Sequence, residues 1–160
     1  MSDERLWAPW RMPYIKGEKS GECVFCAKPA WGDDEAAAIV HRGEHSYVML
    51  NAFPYTNGHL MISPYLHTGT IEELDEPTLL ELMTLSQRSL AALRAAYRPE
   101  GFNVGLNLGK VAGAGFDDHV HLHVVPRWGA DSNFMPVIGN ARVLPELLEE
   151  SYRALKAAWV

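Results

Sequence analysis

The sequence predicts an α+β fold: an antiparallel five-stranded sheet with two main helices. Three observations carry this. Five short stretches rich in Val, Ile and Leu are separated by turn residues or by a longer helical stretch. Two longer stretches repeat apolar residues at spacings near three and four. The order is strands, helix, strands, helix, which fits an antiparallel sheet better than a doubly wound parallel one.

The elements follow in order. The opening Leu6-Trp7-Ala8-Pro9-Trp10-Arg11 reads as an ordered arm over about residues 1–20. Gly21 to Cys26 is turn-like and carries a Cys-x-x-Cys pair. Strands are expected over Ala37 to His41, Ser46 to Leu50 and His59 to Ser63, the first two split by the hairpin-like Arg42-Gly43-Glu44-His45. Asn51 to Gly58 holds Pro54, Asn57 and Gly58, as a turn does. From Ile71 to Tyr97 the period becomes helical, with Leu79, Leu82, Met83, Leu85, Leu90 and Leu93 as its stripe. Pro77 suits a first turn, and Pro99 with Gly101 closes the helix. Phe102 to Leu108 and His119 to Pro126 are the remaining strands, joined by a glycine-rich loop from Gly109 to Gly115. A last helix is expected over Leu144 to Trp159, striped by Leu147, Leu148, Tyr152 and Leu155.

Composition bounds the function. A chain of 160 residues is read as a single domain, 1–160, with its arm included. The 48% hydrophobic content is that of an ordinary core. No apolar run approaches the roughly 18–20 residues that span a bilayer, and the first residues lack the apolar centre of a secretion signal. A cytoplasmic protein without membrane contact is expected. A net charge of −6 argues against a general grip on DNA or RNA, which needs a basic footprint. The two cysteines, Cys23 and Cys26, form no disulfide framework at this size.

The run His119-Val120-His121-Leu122-His123 is the feature that stability alone explains worst. On a strand, alternate side chains share a face. Three imidazoles therefore face one way, while Val120, Leu122 and Val124 face the other. One reading is a metal site, although three ligands from one flat strand make a poor tetrahedral cage without help. The other is nucleophilic catalysis, in which a neutral imidazole nitrogen attacks phosphorus. The middle residue is best placed for that, and the glycine loop can bring backbone close to phosphates.

Cys23 and Cys26 admit three readings: a redox pair, two buried thiols, or half of a zinc site. Zinc needs four ligands, and His67 and His119 are the candidates to complete them. Among the other residues, His59 is balanced between structure and function. His41, His45 and Lys110 read as solvated, and Trp128 as packing. Glu72, Glu73, Asp75 and Glu76 complement a helix start.

The stretch His119-Val120-His121-Leu122-His123-Val124-Val125 resembles the signature of the histidine-triad (HIT) family, His-φ-His-φ-His-φ-φ with φ apolar. Asn51 in Asn-x-x-Pro-x-x-x-Gly-His, and Asn107 followed by Ala112-Gly113-Ala114-Gly115, match other family segments. The opening motif and Asp118 to Trp128 are most similar to the diadenosine tetraphosphate phosphorylase-like branch. The resemblance implies that His121 accepts a nucleotidyl group and that His123 hydrogen-bonds the phosphate or the leaving oxygen. It implies that Asn107, Gly113 and Gly115 steady the phosphate and that Asn51 holds the ribose. It further implies a structural zinc held by Cys23, Cys26, His67 and His119, no organic cofactor, and a homodimer whose sheets join. One departure is Phe116, where many members carry a small hydroxyl residue. Asp117 and Asp118 follow it without an assigned role. The implied activity is cleavage of a nucleoside or dinucleoside polyphosphate. Two alternatives stand beside it: a nucleotide-binding regulatory module with incidental turnover, and a metal-dependent hydrolase using the whole triad as ligands. The preferred base, and water or phosphate as acceptor, stay open.

Overall fold

The computed structural model describes residues 22–129, 131 and 144–160. The arm expected over residues 1–20 lies outside them. A short helix α1 (Val24–Ala27) and a 3-10 turn (Lys28–Trp31) replace the simple turn expected around the cysteines. Helix α2 (Asp34–Ala37) follows, capped by the Asp33 carboxylate, which accepts from Ala36 N–H at 3.1 Å. Ala38 is left-handed at φ 59°, so the chain turns there and β1 runs Ile39–Arg42 instead of starting at Ala37.

The remaining strands are β2 (Ser46–Leu50), β3 (Leu60–Pro64), β4 (Gly101–Leu106) and β5 (Leu122–Arg127). Their order in the sheet is β1-β2-β3-β5-β4, with every neighbour antiparallel. The expected five-stranded sheet is thus present. Helix α3 spans Glu76–Tyr97 and crosses one face. Asp75 caps it by accepting from Thr78 N–H at 3.0 Å, and a 3-10 turn (Ile71–Glu73) precedes it. Glu81 of α3 reaches the β1–β2 turn, where its two oxygens accept from Glu44 N–H at 2.8 Å and His45 N–H at 2.7 Å. Gly43 permits this approach, since a Cβ there would lie 2.7 Å from the Glu81 carboxylate. Helix α4 (Leu148–Ala158) closes the layer beside α3.

The sheet is covered on both faces, which explains why β2 and β3 are buried along their whole length. On the helix side, Leu82, Leu85, Ala92 and Leu93 pack on Val40, Val48, Leu60, Ile62, Leu122 and Val124. On the opposite side, Phe25 packs with Ile39, Tyr47, Met49 and Met61. His41, expected in solvent, instead stacks on Trp159 at 5.1 Å and accepts from Arg88 at 3.1 Å. Arg88 of α3 and Trp159 at the end of α4 create that environment, and a local reading of the β1 turn does not contain it.

The triad run is only partly strand. His119 to His121 lead into β5 without ladder pairing. Beyond the pair Ile62–Leu122, β3 reaches Pro64, which has no N–H to offer. The Ser63 hydroxyl donates to Val120 O, and Val120 N–H donates to Thr68 O. Alternation survives nonetheless. Val120, Leu122 and Val124 enter the helix-side core, while His119 and His121 face Phe25.

Candidate active site and metal centre

His121 is 7% exposed at the entrance to β5. Its Nδ1 lies 2.8 Å from His119 O. A carbonyl only accepts, so the ring proton sits on Nδ1 and the lone pair on Nε2. Phe25 stacks on the imidazole at 4.5 Å and 25°. Burial pushes the His121 pKa down, outweighing the carbonyl that favours the charged form. The neutral imidazole, with Nε2 as its bare nitrogen, is therefore the form this environment favours.

His123 sits one strand step further, its ring 4.8 Å from that of His121. It is tied to His59, which sequence reasoning left undecided. His59 has no exposed surface. Tyr55 N–H donates to His59 Nδ1 at 3.1 Å, and Asn51 Nδ2 lies 3.4 Å from the same atom. The His59 proton is thus on Nε2, which donates to His123 Nδ1 at 2.9 Å. A neutral His123 then carries its own proton on Nε2; Asn107 Nδ2, also a donor, lies 3.4 Å from that nitrogen, so the two N–H groups sit side by side and are not bonded to each other. Burial first, then the neighbouring His123 and His121, push the His59 pKa down to about 3. Gly105 pairs with His123 across the sheet, and nothing lies within 4 Å of where its Cβ would be. The face beside His123 is consequently open.

The glycine loop behaves differently from a bare cradle. Gly113 is left-handed at φ 91°, a backbone conformation that favours glycine, and the space at its Cβ is open. Gly115 is half-buried. The N–H groups of Ala112, Gly113 and Ala114 all donate to carbonyls of Gly109 or Lys110 inside the loop. Lys110 is exposed, 3.7 Å from Asp117. Asn51 is turned inward: its Oδ1 accepts from Phe53 N–H at 2.9 Å. Arg127 is held by Asn103 and by both carboxylate oxygens of Asp131.

Cys23, Cys26, His67 and His119 form the second cluster, with one ligand atom from each within 4.8 Å of all the others. Cys23 Sγ lies 3.3 Å from His119 Nδ1, Cys26 Sγ 3.3 Å from His67 Nδ1, and the two imidazole nitrogens lie 3.3 Å apart. His119 Nε2 is 3.0 Å from Pro64 O, so it carries the proton and turns the Nδ1 lone pair into the cluster. These four residues could hold a metal ion. Among the described residues, this metal-compatible group takes one triad member, His119.

Sequence reasoning brought together the residues of both clusters but missed Phe25 and did not commit on His59. The available signals were the Gly58-His59 step eight residues after Asn51, and the aromatic residue enclosed by the two cysteines.

An antiparallel sheet that presents alternate histidines beside a two-cysteine, two-histidine cluster defines an α+β protein equipped for imidazole chemistry. Residues 33–129 match the HIT domain. The chain is 40% identical to AP-4-A phosphorylase of Mycobacterium tuberculosis, covering 98% of this chain and 84% of that protein. Protein hit of Bacillus subtilis is 29% identical, with 70% of this chain and 75% of that protein covered. A Zn-bound histidine triad family protein from Mycobacterium smegmatis superposes with a TM-score of 0.69 at 32% identity, covering 87% and 94% of the two chains. The chain belongs to the HIT family.

Proposed function

We propose that the protein is a nucleotidyl hydrolase or phosphorylase that cleaves dinucleoside polyphosphates, such as diadenosine tetraphosphate, through a covalent nucleotidyl-His121 intermediate. The observation that carries this is the His121 Nδ1–H bond to His119 O, which leaves Nε2 unprotonated in a buried site. His121 Nε2 attacks the phosphorus next to one adenosine. A P–N bond forms, the P–O bond breaks, and ATP leaves. Inorganic phosphate then attacks the same phosphorus to give ADP, or water attacks to give AMP, and Nε2 is regenerated. The 40% identical relative is a phosphorylase, which favours phosphate as acceptor.

His123 donates from Nε2 to the phosphate or the leaving oxygen, and His59 keeps it in the donor tautomer. Asn107 reaches the same point and steadies the developing charge. Gly113 and Gly115 give room for the phosphates, and Asn51 lies at the edge of the site for the ribose. Cys23, Cys26, His67 and His119 would hold a structural zinc ion. Bonds of about 2.0 Å to nitrogen and 2.3 Å to sulfur give tetrahedral edges of about 3.3–3.8 Å; the three 3.3 Å spacings match these edges, and all four ligand atoms lie within 4.8 Å of one another. When bound, the ion supplies cross-linking between α1, the segment after β3 and the triad, and leaves His121 and His123 for chemistry. A cytoplasmic homodimer with a nucleotide substrate, and without nucleic acid or membrane partners, completes the reading.

Incubation with diadenosine tetraphosphate, with and without phosphate, tests it. ADP plus ATP marks phosphorolysis, and AMP plus ATP marks hydrolysis. Intact mass spectrometry of a quenched reaction is expected to show a nucleotide adduct that His121→Ala abolishes. Undiminished turnover by His121→Ala would refute the reading.

A further inference from the structure

We propose that Phe25 aims the nucleophile, and that the Cys-x-x-Cys turn is placed to hold that ring; this rests on the reading of His121 above. Phe25 lies between Cys23 and Cys26 in α1 and is 2% exposed. Its ring stacks on His121 at 4.5 Å and 25°. It meets His119 at 5.3 Å and Phe116 edge-on at 5.7 Å. Its carbonyl accepts from the buried Tyr47 hydroxyl at 2.8 Å. The ring is therefore fixed from the cysteine turn, from β2 and from the segment before the triad.

His121 needs such a restraint. A single hydrogen bond from Nδ1 to His119 O chooses the attacking nitrogen but acts as a pivot about which the ring can rock. The outer side-chain torsion of histidine is broad, so torsional preference does not set the angle. The stacked Phe25 ring does, because any tilt of the imidazole either clashes with it or opens a gap in close packing. Attack on phosphorus requires the lone pair to be aligned within a near-attack distance of about 3–3.5 Å. The carbonyl thus decides which atom attacks, and Phe25 decides where it points. Both restraints come from the metal-compatible cluster. Cys23 and Cys26 flank Phe25 in the chain, and His119 contributes its ring to the cluster and its carbonyl to His121.

The test compares the full-length parent with Phe25→Leu and Phe25→Met, which keep apolar bulk but lose the flat ring. Metal content, AMP affinity and the single-turnover rate of adduct formation from diadenosine tetraphosphate are measured on each. The expected result is an adduct rate at least about tenfold lower, with AMP affinity and metal content within about twofold of the parent. The His121 ring protons should also lose the upfield NMR shift that a stacked aromatic ring imposes. An adduct rate within about twofold of the parent overturns the proposal. So does a rate loss that tracks loss of metal or of AMP binding, since that is a purely structural role. If neither variant folds, the parent spectrum decides, and unshifted His121 ring protons overturn the proposal. His121→Ala is run alongside. Retained turnover there removes the nucleophile reading itself, an outcome the Phe25 variants cannot produce.

Discussion

Acid should weaken this protein through His59, and the size of the effect follows from its surroundings. His59 has no exposed surface and accepts at Nδ1 from a backbone N–H while donating at Nε2 to His123. Its pKa is held down at about 3, against an ordinary value of 6.5. A histidine with a depressed folded-state pKa binds its proton more readily when unfolded. Its neutral form thus costs nothing above pH 6.5, and stability is lost as pH falls from 6.5 towards 3. At pH 5 the loss is about 2 kcal/mol, from about 1.5 pH units at about 1.4 kcal/mol each. His59→Gln removes the titrating group. Urea unfolding of parent and variant, followed by tryptophan fluorescence at pH 7 and pH 5, isolates the term. The variant should start less stable by about 1–2 kcal/mol, having lost buried hydrogen bonds. It should then lose about 2 kcal/mol less than the parent between the two pH values. Equal losses would show that His59 does not titrate between the folded and unfolded states, and the reasoning would fail.

Three further outcomes follow from the same geometry. Chelation of bound metal should lower the melting temperature, and Cys23→Ser should reproduce that loss; metal analysis finding no zinc in protein purified without chelator would remove the idea. Asn107→Ala should lower the adduct rate by about 10²-fold with little change in AMP affinity, measured by rapid quench. Asp75→Ala removes the α3 cap and should cost about 1 kcal/mol in urea unfolding without changing turnover.

Much of this protein was legible in the sequence because the signals were local. Short apolar stretches bounded by turn residues marked the five strands, alternation marked the histidine face of the last, and spacings near three and four marked α3. Pro77 marked its first turn, but the helical stretch was read from Ile71, whereas Ile71–Glu73 is a separate 3-10 turn and α3 begins at Glu76. The triad and the cysteine pair stood out because imidazoles at alternate positions, and thiols three apart, are uncommon without chemistry. The candidates for the metal cluster, 41 and 93 residues from Cys26 along the chain, were found by residue type, and the fold brings them within contact of it.

What tertiary structure alone decided is protonation and aim. Which nitrogen of His121 is bare depends on a carbonyl two residues back, in a stretch that lies outside the β-ladder. Which nitrogen of His123 carries its proton depends on His59, 64 residues away in sequence and one strand away in the sheet. Phe25 reads as an ordinary apolar residue until the fold lays it against His121. Residue types and spacings set the chemical inventory, because periodicity and ligand preference are properties of the chain. Tautomer, desolvation and orientation are properties of neighbours, and neighbours distant in sequence exist only after folding.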